Sequence, residues 1–190
     1  MKYATFSSET SSINSVASKI SSISSTPSNQ NIKELCENVK KLYIADPKKK
    51  KLIVSKYYSN LCEFVDPLVK VKGRENLYAQ FLALNFFNKV EVEILNIEPV
   101  VEVIKKAGDY ETPELEFNII NKQSYYKTKN PFVLKTNTKL NLVFENSHWV
   151  VLKHKDTWID HSKFDITPEF LKSLWGSFTS LLITSWFGLK

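Results

Sequence analysis

Apolar positions recur at helical spacing through the first part of the chain and at a spacing of two from about Lys89 onward. The segment NIKELCENVKKLYIA sets Ile32, Leu35, Val39 and Leu42 along one stripe and predicts a first helix with Asn31 as its N-cap. Asp46 followed by Pro47 predicts the cap and first turn of a second helix, which carries Leu52, Ile53, Lys56 and Tyr57 toward Ser59 and Asn60. LCEFVDPLVKVKG then reads as a short strand, a kink at Asp66-Pro67 and a second extended piece through Val71, ended by Gly73. Proline removes a ladder donor and restricts the residue before it, so the break needs no chemistry, and Asp66 reads as a turn residue that satisfies backbone groups. From Arg74 to Phe87, Leu77, Phe81, Leu84 and Phe86 or Phe87 space out a third helix, about 20 Å long at the standard rise.

Beyond it, Val90, Val92 and Ile94 alternate against Glu91 and Glu93, and a β-rich run continues to Ile104 across Pro99. Leu115, Phe117 and Ile119 share one face of a later strand. In FVLKTNTKLNLVFE, the residues Phe132, Leu134, Thr136, Thr138, Leu140, Leu142 and Phe144 share a face, while Lys135, Asn137, Lys139 and Asn141 turn away. HWVVLKHKDTWID is the last strand. Turn-like links at Gly108-Asp109 to Pro113, Lys127 to Pro131 and Asn146-Ser147 predict adjacent antiparallel pairing without crossovers. The fold class is therefore α+β: one curved antiparallel sheet packed on three N-terminal helices, followed by a C-terminal amphipathic helix.

Two end segments differ from this core. Residues 1–31 are dominated by serine and predict a disordered tail that buries too little to offset its ordering entropy. Ile13, Val16, Ala17, Ile20 and Ile23 recur there at nearly helical spacing, as in a mitochondrial targeting helix, but the segment has no arginine; it also has no apolar run of the secretory kind. At the other end, Thr167-Pro168-Glu169 starts a helix within 166–190 that has no charge between Lys172 and Lys190. Leu174, Trp175, Phe178, Leu182, Trp186 and Phe187 belong to its apolar band, and Ser173, Ser177, Ser180 and Thr184 to a narrow polar stripe. That band needs a cover: the sheet of its own or a partner subunit, or a membrane surface. The segment falls short of a spanning helix.

An apolar content of 43% over 190 residues supports one sizeable core. The formal charge of +6 is nearly all lysine, with Arg74 the sole arginine, which argues against nucleic acid as a partner. Lys48 to Lys51 lie in a first helical turn, where the dipole disfavours cations; the run reads as a solvated face, with an anionic partner as the alternative. Cys36 and Cys62 sit in apolar runs without metal or disulfide spacing, so a reducing, cytoplasmic setting is expected, peripheral to an intracellular membrane if the last helix binds lipid.

The sharpest candidate chemistry is HKDTW. His154, Asp156 and Trp158 alternate with Lys153, Lys155 and Thr157 and share a face with Val150 and Leu152, which points the imidazole and carboxylate inward, roughly 6.5 Å apart along the backbone. The pair can work as a general base with its orienting acid, or as buried polar groups that satisfy each other. No second acid, metal set or oxyanion donor can be placed beside it. His148 and His161 read as surface residues, and a zinc set of His154, Asp156, Asp160 and His161 has no established spacing.

Tyr57-Tyr58, CEFVDPLVKVKG, the helix after it and HKDTW, in that order, resemble the nuclear transport factor 2 (NTF2)-like superfamily, in particular its SnoaL-like and SigF-like members, over Ile32 to Trp158. The resemblance implies an NTF2-like domain at 32–165, shaped as a cone with the Asp-Pro kink at its mouth. It implies that Tyr58, Asp66, His154 and Trp158 surround a ligand, with a catalytic acid as the alternative role of Asp66, since related enzymes place a carboxylate or histidine near this wall. Two functions follow from it: a non-catalytic module holding a hydrophobic small molecule, or a lyase or isomerase with His154 as base and Asp156 as orienter. Neither calls for a cofactor or metal. The superfamily further implies a homodimer through the outer face of the sheet.

Overall fold

In the computed structural model, residues 29–98, 101–107, 110–146, 148–160 and 168–186 are described, and the expected Ser-rich tail lies outside them up to Ser28. The chain divides into Met1–Glu34 and Leu35–Lys190, and the second unit contains the sheet and the sites discussed below. Helix α1 (Asn29–Ile44) begins before the expected cap, so Asn31 lies inside it. Helix α2 (Pro47–Tyr57) starts as the sequence predicts: Asp46 is extended, its Oδ1 accepts the Lys49 N–H at 3.1 Å, and Pro47 opens the first turn.

Lys50 departs from the solvated face expected of its run. It lies on the same side of α2 as Ile53 and Val54, is 0% exposed, and donates from Nζ to the Phe81 carbonyl at 2.8 Å and Asn85 Oδ1 at 3.0 Å. Those acceptors lie near the C-terminal end of helix α3 (Arg74–Ala83), where the helix dipole favours a cation. Burial lowers the Lys50 ammonium to about 8.

Strands β1 (Tyr58–Val65) and β2 (Lys70–Lys72) form a hairpin with Val65 opposite Lys70. The Asp-Pro kink is its turn. Asp66 Oδ1 accepts the N–H groups of Leu68 at 2.7 Å and Val69 at 2.5 Å, and the Asp66 N–H donates to the Val69 carbonyl at 2.8 Å. Gly73 leads into α3 with φ of 86°, a conformation that costs glycine little. Arg74 donates from Nε to the Tyr58 carbonyl, so the sole arginine ties α3 to β1.

After a 3-10 turn at Leu84–Phe86 come β3 (Lys89–Ile97), β4 (Val101–Ala107), β5 (Tyr110–Tyr126), β6 (Phe132–Glu145) and β7 (His148–Trp158). The seven-stranded sheet has the order β2-β1-β7-β6-β5-β3, with β4 also paired to β5. Because β5 is 17 residues long, β3 occupies its C-terminal half and β4 its N-terminal half, so the β-rich run to Ile104 belongs to two strands on one edge. One expectation is corrected here. β1 runs parallel to β7, with Phe64 opposite His154, because β1 enters from α2 rather than through a hairpin; the sheet is mixed, not wholly antiparallel.

A bulge between Asn141 and Leu142 in the β6–β7 ladder buries Val150 and Val151 together and leaves Leu152 only partly covered. The simple alternation through Leu152 is thereby broken, yet His154 and Asp156 remain inward. The helices meet the inner face of the sheet through Leu42 and Tyr43 of α1 and Leu77, Phe81 and Leu82 of α3, all buried with Phe64, Phe117 and Leu140. Burying side chains of this size contributes about 1.5–3 kcal/mol each before entropy is subtracted. Cys36 and Cys62 are free and buried, and burial pushes their thiols up to about 12 and about 11.

Helix α4 (Glu169–Trp186) docks by its small and polar stripe. Lys172, Gly176, Ser180 and Ile183 are its buried residues, and it packs on α3 and β2. A Cβ on Gly176 would stand 2.5 Å from the Lys70 carbonyl oxygen and 2.7 Å from Val71 Cγ1, so this approach requires glycine. Gln80 Nε2 donates to Ser180 Oγ at 2.7 Å, and Lys70 Nζ pairs with Glu169 Oε2 at 2.8 Å. Leu174, Trp175, Phe178, Leu181, Leu182 and Trp186 consequently face outward, 50–77% exposed. Phe187 and Thr167 lie outside the described residues. Among the described residues no helix is long and apolar enough to cross a membrane.

Candidate functional site

Enclosed by the inner sheet face, α3 and α4 is a half-open cavity of about 690 Å³, within the range that holds small organic ligands. Phe86, Phe132, Trp175, Leu182 and Trp186 line it and are strongly exposed, so they form its rim. Phe64, Val69, Phe81, Leu134 and Ile183 form its apolar interior. Four buried polar residues, Tyr43, Gln123, Tyr125 and Asp156, meet it at the inner end.

These polar groups belong to one hydrogen-bonded chain with a direction. Tyr125 donates to Gln123 Oε1, Gln123 Nε2 donates to Asn121 Oδ1 at 2.8 Å, Asn121 Nδ2 to Thr138 Oγ1 at 3.0 Å, and Thr138 to Asp156 Oδ1 at 2.6 Å. From the other side, Tyr43 donates its hydroxyl proton to Asp156 Oδ2 at 2.6 Å. The Tyr43 oxygen, 3.2 Å from His154 Nε2, can then only accept from the ring, and Nδ1 accepts from the Tyr58 hydroxyl at 2.8 Å. His154 Nε2 also stands 3.3 Å from Asp156 Oδ1. Apart from a second bond of 3.4 Å from Asn121 Nδ2 to the Ile119 carbonyl, the donors of the network point toward Asp156, and successive bonds in such a chain polarise one another. Burial and the nearby Asp156 charge raise Tyr43 well above the ordinary phenol range, and burial does the same to Tyr58, with smaller contributions from Cys62 and Asp156. Both hydroxyls stay protonated donors.

The four residues expected around a ligand separate into two pairs. Asp66 and Trp158 line the cavity, whereas Tyr58 and His154 are 0% exposed and lie behind its wall. The imidazole is packed among the rings of Phe64, Phe81, Tyr58 and Tyr43, with centroids 5.2, 5.7, 6.1 and 6.4 Å away. Of the His154-Asp156 dyad, only the carboxylate reaches the cavity. Asp66 is pushed up to about 6, first by burial; the Leu68 and Val69 N–H groups pull it down, the Asp156 charge raises it and Lys172 lowers it. Leu174 and Phe178 belong to an outer groove with Leu68, Leu171 and Trp175, while Trp175, Leu182 and Trp186 also border the cavity.

Tyr43, Asn121, Gln123, Tyr125 and Thr138 were not singled out from the sequence as site residues. The signal for four of them was present: carrying the Leu115, Phe117, Ile119 period onward brings Asn121, Gln123 and Tyr125 inward, and Thr138 shares the face of Leu134, Leu140 and Leu142 in β6. Tyr43 had none, since its partners are 111 and 113 residues away. Among the described residues no three His, Cys, Asp or Glu side chains gather as metal ligands, and His161 lies outside those residues.

No family model and no curated protein sequence matches the chain; solved structures do. A protein of unknown function from Mycobacterium tuberculosis is 8% identical over 81% of this chain and 92% of its own, with a TM-score of 0.51. A scytalone dehydratase-like protein from Novosphingobium aromaticivorans is 14% identical over 67% of this chain and 80% of its own, with a TM-score of 0.50. A nuclear transport factor 2-like superfamily protein from Salmonella enterica is 14% identical over 68% and 89%, at 0.49. The chain has the α+β, NTF2-like cone fold, extended by a C-terminal helix. Fold alone assigns no reaction.

Proposed function

We propose that the protein is a non-catalytic NTF2-like module that holds one hydrophobic small molecule in the cavity behind α4. The observation that carries this reading is the contrast between an open, largely apolar cavity and an imidazole with no exposed surface. A general base must come within hydrogen-bond reach of the proton it removes, and His154 has both ring nitrogens engaged by protein groups. The lyase or isomerase reading therefore draws less support. Titration with the neutral fluorophore N-phenyl-1-naphthylamine tests the proposal. One molecule should bind per chain, and Ala83→Trp, which fills the cavity from α3, should weaken binding by at least about tenfold. Equal binding by wild type and variant would reject it.

A second reading concerns α4, whose large apolar side chains face outward. We propose that this surface rests on a membrane. Its support is threefold: Trp175 and Trp186 suit the lipid–water boundary, the formal charge is +6, and the hydroxyls of Ser173, Ser177 and Thr184 already donate to carbonyls of their own helix. The 190-residue chain should float with vesicles containing anionic lipid, and Leu174→Ser with Phe178→Ser should reduce flotation several-fold. Absence of flotation, with the wild type dimeric in sedimentation and the double variant monomeric, would assign the surface to a second copy instead.

A further inference from the structure

The charge lining the cavity runs against that of the protein. The chain carries a formal +6 with 26 lysines and arginines, yet among the described residues the only charged side chains that line the cavity are Asp66 and Asp156. Among the described residues no lysine or arginine pairs with either carboxylate; the nearest basic group is His154, whose Nε2 lies 3.3 Å from Asp156 Oδ1. Asp156 receives Thr138 and His154 at Oδ1 and only Tyr43 at Oδ2. A carboxylate oxygen accepts about two hydrogen bonds, so Oδ2 retains one acceptor position. Asp66 spends Oδ1 on the Leu68 and Val69 N–H groups, and its Oδ2 has no hydrogen bond among the described residues.

The buried Asp156 and the partly exposed Asp66 keep acceptor capacity in a cavity walled by Phe81, Phe87, Tyr125 and Trp158, and Lys172, which acts on Asp66 through space, offsets only part of their negative potential. Donors converging on Asp156 stabilise its charge but bring no formal cation. A ligand that carries a cation supplies what is missing: its N–H groups reach the open acceptor, and aromatic faces attract the charge. A ligand carboxylate would meet like charge, and a hydrocarbon would leave the remaining acceptor position of each carboxylate unfilled.

Resting on the small-molecule reading above, we infer that the ligand is a hydrophobic amine, bound as its ammonium with the nitrogen at Asp156 and the hydrocarbon toward the α4 rim. The groups facing Asp66 are Asp156 from β7, Lys172 from α4 and Tyr125 from β5. Asp66 is raised to about 6 and so loses its charge as pH falls through that value. An alkylammonium keeps its proton over this range, its ordinary pKa being about 10. Amine affinity therefore declines from pH 7.5 to pH 5, by about threefold.

The test is displacement of N-phenyl-1-naphthylamine by three probes of equal length, decylamine, decan-1-ol and decanoate, each below its micelle concentration. At pH 7.5 decylamine should compete at least about tenfold more strongly than decanol, and decanoate least. Asp156→Asn should bring the amine to within about twofold of the alcohol. Asp66→Asn keeps an acceptor for the Leu68 and Val69 N–H groups, so it provides a folded variant in which the pH dependence should vanish. Decanol or decanoate matching the amine, or a preference unchanged in both variants, overturns the inference and leaves the cavity reading standing. If the fluorophore itself does not bind, the cavity reading fails and the inference fails with it.

Discussion

Asp156→Ala lowers the free energy of unfolding by about 3–5 kcal/mol at neutral pH, a loss as large as truncating a buried aromatic ring. The side chain is 6% exposed and accepts from Thr138 and Tyr43 at 2.6 Å each, with His154 3.3 Å away. Alanine removes the acceptor and keeps the donors. Each stranded donor costs about 1–3 kcal/mol, and the groups cannot turn to water because Tyr43, Thr138 and His154 are buried. The loss should spread along the chain to Asn121 and Gln123, whose amides are oriented by the same sequence of bonds. Urea unfolding of both proteins measures it; a loss below about 1 kcal/mol would mean that the network does not converge on Asp156.

Gly176→Ala detaches α4. The added methyl would stand 2.5 Å from a backbone oxygen, which cannot rotate away as a side-chain tip can. The helix must withdraw from β2, and withdrawal also lengthens the Gln80 to Ser180 bond and the Lys70 to Glu169 pair. Overpacking of this kind costs about 1–3 kcal/mol, enough to undo a docking contact while the sheet stays folded. Hydrogen exchange should show amides of Leu174 to Ile183 losing about 100-fold in protection, with β5 and β6 unchanged. Because Trp175, Thr179, Leu182, Ile183 and Trp186 border the cavity, probe affinity falls in the same variant. Unaltered protection across α4 would contradict the close approach at Gly176.

Elements defined by near neighbours were legible in the sequence. Asp46-Pro47 announced α2 through a cap and a fixed φ, and the period of two announced β5, β6 and β7. What depended on distant residues was not. The parallel β1–β7 pairing joins segments nearly a hundred residues apart, and no turn chemistry encodes it. Lys50 lies in a run of four lysines, and only the Phe81 carbonyl and Asn85 make it a core residue. Periodicity turned His154 inward correctly, but the rings that seal it come from α1, β1 and α3. For α4 the pattern divided apolar from small residues; which side docks was decided by a backbone approach that admits no Cβ.

The claim beneath these arguments is that the apolar interior behind α4, rather than its outer surface, is where a small molecule resides. Intermolecular nuclear Overhauser effects from bound N-phenyl-1-naphthylamine to assigned methyl groups locate it directly. Val69, Leu134 and Ile183 line the cavity, whereas Leu174 and Leu181 point outward. Cross-peaks to the first three methyl sets are the predicted result; cross-peaks confined to Leu174 and Leu181 would contradict it.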